Sequence, residues 1–355
     1  MGKYLAVFLV IKQELCYNAV EKDFYFVGKE FCVMLWLYIS LGVILCFLIA
    51  SFAIVTFMFF GALRRKSQNG KSTVDTDSLL PEFDQYRDEV RACKKWFLDQ
   101  EPENVTIRSH DGLTLRAWVL EAENPIATVL LMHGYRSRGL SDFSCVFPFY
   151  HKHGVNIVVP DQRACGESEG TFITLGVKER LDCKGWIEYI NGRFGTELPI
   201  IMDGVSMGAS TILMATALDL PQNVRGVIAD CGFTSPWEVV CSVLKATKAI
   251  PVFPFAWFAR PVSRIFAGFG LTEASATEAM KQCRIPVFFA HGKKDLFVPY
   301  EMSLKNFEAC ASDDKELFTV EEAGHGLCFM LERDAYEKKI LEFLKKCGCE
   351  NVPNQ

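Results

Sequence analysis

Serine, histidine and aspartate together can make a nucleophile, and in this chain one copy of each stands in an unusual setting. The serine is Ser206, in the run Gly204-Val205-Ser206-Met207-Gly208. An apolar stretch, Ile200-Ile201-Met202, precedes it, and a helix-forming stretch, "GASTILMATAL" (208–218), follows. A strand that turns at once into a helix forces the corner residue into strained backbone angles. Glycine on either side removes side chains that would clash there. The same corner aims the Met207 amide, at a helix N-terminus, toward the reacting centre. A lone G-x-S-x-G is a weak signal, and its place between strand and helix gives it weight.

A serine hydroxyl is a poor nucleophile until a base takes its proton. Six histidines are available. His110 sits beside a hairpin turn. His133 precedes Gly134 at a strand end and reads as a brace for that loop. His151 and His153 close a helix, without the further ligands a metal site needs. His291 lies just ahead of a better-placed acid. His325 follows the last strand between Gly324 and Gly326, and is the favoured base. Its imidazole needs a carboxylate to fix the tautomer and stabilise the charged form. Asp295, after "VFFAHGKK", is the first candidate. Asp230, which also ends a strand, is the second, and Asp203 is too close to Ser206 in sequence. A second oxyanion donor, beside Met207, is the Tyr135 amide, where Gly134 lets the backbone approach a substrate.

The elements that must position these residues alternate. A hairpin is centred on Asp111-Gly112 within "NVTIRSHDGLTLRAWVLEA". Short apolar runs follow: "ATVLLMHGY", "VNIVVPD" (stopped by Pro160), "LPIIMDGVS", "VRGVIADCGF", "IPVFFAHGKKD" and "KELFTVEEAGH". Helical spacing separates them at 140–153, 176–191, 208–218, 301–311 and 330–346. Short apolar strands alternating with helices predict an α/β fold with a mainly parallel sheet covered on both faces. In such a sheet working residues sit beyond the carboxyl ends of the strands, as Ser206, Asp295 and His325 all do. Residues 233–283 interrupt the alternation with Phe233, Trp237, Phe253, Phe255, Trp257, Phe258, Phe266 and Phe269. They read as a cap whose aromatics either line an acyl pocket or pack the cap onto the sheet.

Ahead of this domain, Phe31 to Leu63 holds no charged residue. It is long enough for one transmembrane helix, which needs roughly 20 apolar residues. No small-residue cleavage site follows, so it reads as an anchor and not as a cleaved signal. The expected layout is an N-terminal segment 1–30, a membrane span 31–63, a polar linker 64–85, and a catalytic domain 86–350 with a cap at about 233–283. The cluster Arg64-Arg65-Lys66, with Lys71, favours a cytoplasmic catalytic domain in a single-pass membrane protein. Eleven of the fourteen cysteines lie beyond the span, an odd number without scaffold-like spacing, which fits free thiols in a reducing compartment. Half the residues are hydrophobic, the net charge is −5, and no basic block is long enough to suggest nucleic acid, so no nucleic-acid partner is expected.

From about residue 104 to 347 the chain resembles the α/β-hydrolases. The resemblance is to the serine-hydrolase group that includes the bacterial YqkD-like proteins, the Bem46-like lipases and prolyl-peptidase relatives. It is carried by His133-Gly134-Tyr135, "PDQRACGESEG" (160–170), Gly204 to Gly208, "HGKKDLFVP" (291–299) and Gly324-His325-Gly326. It implies an α/β-hydrolase fold with an eight-stranded sheet and a small helical cap. It also implies a Ser206/Asp295/His325 triad, and Tyr135 and Met207 amides as the oxyanion hole. Ala164 departs from the family's D-x-R-G-x-G-x-S, where a glycine is usual. The expected activity is a serine hydrolase cleaving carboxylic, acyl or lipid-like esters through an acyl-enzyme, with no metal or organic cofactor. A peptidase acting on short peptides, a thioesterase or an acyltransferase would run the same chemistry. A non-catalytic membrane-tethered binding module would carry a broken triad.

Overall fold

The structure, a computed structural model, describes residues 2–65, 81–247 and 251–349. The chain divides into two compact units, Met1–Ile54 and Val55–Gln355. The first helix, α1, runs Gly2–Leu63 without a proline to break it. Its stretch Lys29–Leu63 is long and apolar enough to cross a membrane. The step in charge at residue 31 is therefore no break in the backbone. Of the expected linker, residues 66–80 lie outside the described residues. On either side of them, Arg65 donates to the Gly166 (2.8 Å) and Ser168 carbonyls, and Pro81–Tyr86 forms a 3₁₀ turn.

Eight strands form one sheet: β1 (Glu103–Arg108), β2 (Thr114–Leu120), β3 (Ala127–Met132), β4 (Val155–Asp161), β5 (Ile200–Val205), β6 (Val224–Asp230), β7 (Val287–Gly292) and β8 (Lys315–Val320). Their order is β1-β2-β4-β3-β5-β6-β7-β8. β2 runs antiparallel to both neighbours, and β3 to β8 are mutually parallel. The central strands are buried on both faces, which is why they read as continuous apolar runs. Pro160 does not stop β4 but lies within it, opposite Ala117 of β2, where pairing with β3 has already ended at Val158.

Twelve helices accompany the sheet among the described residues. After α1 come α2 (Arg87–Asp99), α3 (Gly139–Asp142), α4 (Phe147–Lys152), α5 (Glu179–Phe194) and α6 (Met207–Ala215). Then follow α7 (Pro236–Thr247), α8 (Val252–Val262), α9 (Ala276–Met280), α10 (Tyr300–Ala309), α11 (Cys328–Leu331) and α12 (Arg333–Lys346). Successive strand residues point to opposite layers. Ile157, Ile201 and Phe288 pack with Phe97 of α2, Phe147 of α4 and Phe343 of α12. Val158, Met202 and Phe289 pack with Trp186 of α5, Ile212 of α6 and Met280 of α9.

The expected helix at 140–153 is broken into α3, a 3₁₀ turn (Ser144–Val146) and α4. Pro148 stands in the first turn of α4, where its missing N–H costs nothing but an uninterrupted helix would have been disrupted. Between β6 and β7 the chain carries α7, α8, a π turn at Ser263–Ala267, and α9.

Candidate active site

Ser206 sits between the end of β5 and the start of α6, at φ 56° and ψ −117°. That is costly backbone for a residue with a side chain. The two glycines explain how the corner closes. A Cβ on Gly204 would lie 2.6 Å from the Gly208 backbone, and one on Gly208 would lie 1.7 Å from the Met132 carbonyl oxygen. The Ser206 amide is anchored to the Asp230 carbonyl at the end of β6 (2.8 Å).

Three loops bring the expected residues together. Ser206 Oγ lies 2.8 Å from His325 Nε2, and His325 Nδ1 lies 2.6 Å from Asp295 Oδ2. A carboxylate only accepts, so Nδ1 carries the hydrogen and Nε2 is left to take the serine proton. Asp295 also accepts the Phe297 and Val298 amides on Oδ1, both at 2.8 Å, and the His291 Nε2–H on Oδ2 at 3.1 Å. Burial would raise this carboxyl, but the hydrogen bonds from His291 and His325 outweigh it and hold it down at about 2.

The runner-up acid has another place. The Asp230 carboxylate accepts the Tyr336 hydroxyl (3.3 Å) and makes no hydrogen bond to His325 among the described residues. Burial pushes it up. Asp203 is held by the Tyr150 hydroxyl (2.7 Å), and burial pushes it up to about 7.

The remaining histidines also sort themselves. The His133 ring bonds the Gly134 carbonyl through Nδ1 (2.7 Å) and accepts the Gln162 amide on Nε2 (2.9 Å), so it braces the loop after β3. Asp142 holds the Gly134 amide (2.7 Å). A Cβ on Gly134 would lie 3.5 Å from Ser206 Cβ, which shows how closely this loop passes the serine. Tyr135 and Met207 border the same cavity as Ser206. His151 stands edge-on to Trp96, and His153 bonds the Phe149 carbonyl (2.8 Å).

No protein-family model matches the chain. The uncharacterised protein YqkD of Bacillus subtilis is 24% identical over 77% of this chain and 88% of its own length. The uncharacterised membrane protein YNL320W of Saccharomyces cerevisiae is 26% identical over 69% of this chain and 80% of its own. Among solved structures, the Pyrococcus furiosus esterase Pf2001 superposes with a TM-score of 0.58 at 23% identity, over 70% of this chain and 93% of that one. The chain has the α/β-hydrolase fold.

On this hydrolase fold the donor atoms of Cys231, Asp295 and His325 lie within 4.8 Å of one another, close enough to ask whether they hold a metal. His325 commits Nδ1 to Asp295 and Nε2 to Ser206. Burial pushes the Cys231 thiol well up, so it stays protonated beside the imidazole, 4.0 Å away. The set suits proton transfer better than metal coordination, which needs a thiolate.

An apolar cavity of about 260 Å³ opens beside Ser206. Of the cap aromatics, Phe233 and Phe255 line it. Phe253 and Trp257 are 72% and 58% exposed, and Phe269 is buried against Phe59. The cap's share of the lining is mostly aliphatic, from Val239, Val240, Val243 and Leu244 of α7.

Two contributors escape sequence reasoning. One is His291, fully buried, whose spacing four residues before Asp295 is the only available signal. The other is the end of α1, whose Val55, Met58, Phe59, Ala62 and Leu63 line the cavity. Their spacing is that of one helix face, hidden in a run that is apolar all round.

Proposed function

We propose that this protein is a serine hydrolase that cleaves carboxylic esters through an acyl-enzyme. The observation that carries the reading is the unbroken line Ser206–His325–Asp295, at 2.8 and 2.6 Å, beside a nearly wholly apolar cavity. Ser206 Oγ attacks the ester carbonyl as its proton passes to His325 Nε2. The Met207 and Tyr135 amides receive the oxyanion. The imidazolium, held by ionised Asp295, gives its proton to the departing alkoxide. Water then enters, loses a proton to His325 and attacks the acyl carbon. Collapse releases the acid and returns the proton to Ser206 Oγ. The likeness to Pf2001, an esterase, supports ester chemistry. The apolar lining favours an acyl group over a charged peptide, whose amine and carboxylate would lose their hydration there.

The domain reading goes with this one. Residues 31–63 carry a single membrane span, 86–350 form the catalytic domain, and 233–283 its cap. The Lys29–Leu63 stretch and the likeness to YNL320W, a membrane protein, support a single-pass anchor. The basic residues after the span put the catalytic domain on the cytoplasmic side. Protease added to intact cells is then expected to leave that domain whole, and its digestion would reverse the orientation.

The decisive experiment is fluorophosphonate labelling of the full chain beside Ser206→Ala and His325→Ala. Labelling of the wild type and of neither variant is expected. A folded wild type that takes no label overturns the hydrolase reading in favour of a binding module.

A further inference from the structure

The last two turns of α1 do something a membrane anchor does not need to do. Val55, Met58, Phe59, Ala62 and Leu63 recur at the three- and four-residue spacing of one helix face, and all five line the cavity beside Ser206. Val55, Phe59 and Leu63 are buried there, whereas Phe57, on the opposite side of the same turns, is 81% exposed. Phe59 and Phe60 pack against Phe172, and Phe60 stands edge-on to Phe266. The segment is therefore seated on the domain by its own contacts and by backbone pairing of Arg64 with Phe172.

A second observation ties this segment to the catalytic machinery. The hydroxyl of Tyr135 donates to the Ala62 carbonyl, and the Arg136 guanidinium donates to the Gly61 carbonyl. These carbonyls belong to the final turn of α1, where a helix leaves its C=O groups without internal partners and where a cation is favoured. The capping side chains come from the loop after β3, whose Tyr135 amide is assigned to the oxyanion. The helix end and that loop thus hold one another in place.

We infer that the Val55–Leu63 face of α1 is a wall of the substrate site, and that it selects an extended aliphatic acyl chain bound as the acyl half of the ester. This rests on the serine-hydrolase reading and names its substrate class. The lining supports it: the wall presents only aliphatic and aromatic groups, as does the facing α7, so nothing there can satisfy a polar substituent. An acyl chain in this slot gains apolar burial along its whole length, and each methylene that fits adds about fourfold to the specificity constant. The wall belongs to the helix that is long and apolar enough to cross a bilayer, so the acyl ester can come from lipid or from solution.

The test uses the full chain in detergent with alkyl fluorophosphonates and p-nitrophenyl esters, each from two to twelve carbons. Met58→Trp fills the slot. The expected result is a loss of about fourfold for each methylene shut out of the longer probes, with the shortest probe unaffected. Met58→Ala, which opens the slot and guards against misfolding of the larger variant, shifts the optimum to longer chains. Phe57→Trp, on the exposed side, leaves the profile as in the wild type. Unchanged chain-length profiles in both Met58 variants, with labelling of Ser206 intact, overturn the wall while leaving the hydrolase standing. A folded wild type that takes no probe of any length overturns both. The twelve-carbon ester is also offered in phosphatidylcholine vesicles and as monomers in solution. Faster turnover from vesicles marks a lipid source for the acyl chain, and faster turnover of monomers marks a soluble ester. Either profile supports the wall if Met58→Trp depresses it.

Discussion

The floor and the wall of the active-site cavity are built on opposite terms. On the floor, working atoms are held by directed bonds: Asp295 accepts four hydrogen bonds, and His133 and Asp142 pin the loop that carries Tyr135. Across the cavity, the faces of α1 and α7 meet the slot with apolar groups alone. Hydrogen bonds are directional and costly to leave unmade, whereas apolar burial scales with area and is indifferent to angle. On the proposed reading, reaction type is therefore written into the part of the molecule held by directed bonds, where a lost partner is costly. The proposed chain-length preference is written into a part where hydrophobic residues of similar volume exchange at small cost.

The sharpest way to break this contrast is to remove the nucleophile. Ser206→Ala is expected to lower kcat by about a million-fold with the fold intact, read by ester hydrolysis and circular dichroism. Asp295→Asn should follow at about 10⁴-fold in kcat, because an amide no longer stabilises the imidazolium. Asp230→Asn should stay within a few-fold of the wild type. If the two aspartates exchange these effects, the floor has been assigned to the wrong carboxylate.

Beneath the floor, Asp203 should speak through stability. Its folded pKa of about 7, raised by burial, exceeds the unfolded value of about 4. Between those values the folded state holds the proton and the unfolded state has lost it, so stability falls as pH rises from 4 to 7 and this contribution levels off above. Asp203→Asn keeps an acceptor for Tyr150 and removes this residue's share of the slope. The expected gain at pH 8 is on the order of 3–4 kcal/mol and vanishes near pH 4, in urea melts across that range.

The smallest effect concerns the loop at 160–170. Ala164 adopts φ 60°, in the left-handed region where a Cβ is penalised. Ala164→Gly should stabilise the fold by about 1 kcal/mol without altering kcat, seen as a modest rise in Tm. Destabilisation instead would mean that the methyl group, which is buried, contributes more by packing than the backbone loses by strain.

Much of this is legible in the sequence, and the reasons differ by element. The parallel strands are readable because double burial makes each a short apolar run, as in Ala127–Met132 and Val287–Gly292. The residues of the floor are readable because each follows such a run. α2 is not, since its one fully buried apolar residue, Phe97, stands in a stretch rich in charged side chains. The cap aromatics mislead in part: residue type alone does not tell Phe255, which lines the cavity, from Phe253, which faces solvent. The cluster Arg64-Arg65-Lys66 reads as charge, yet Arg65 also docks onto the Gly166 and Ser168 carbonyls.

The sequence by itself determined the corner at Ser206, because the strain of that turn and its relief by Gly204 and Gly208 act within five residues. It also determined the alternation of the apolar strands with α5, α6, α10 and α12, through periodicities that are local. Only the tertiary structure showed that His325 meets Asp295 and that Tyr336 meets Asp230, two acids at the ends of neighbouring strands that differ in what reaches them across 30 or more residues of chain. Only the tertiary structure, too, brought Val55 to Leu63 beside Ser206. An apolar helix face carries no mark of its partner, because burial rewards any apolar surface that fits, and fit exists only once the chain has folded.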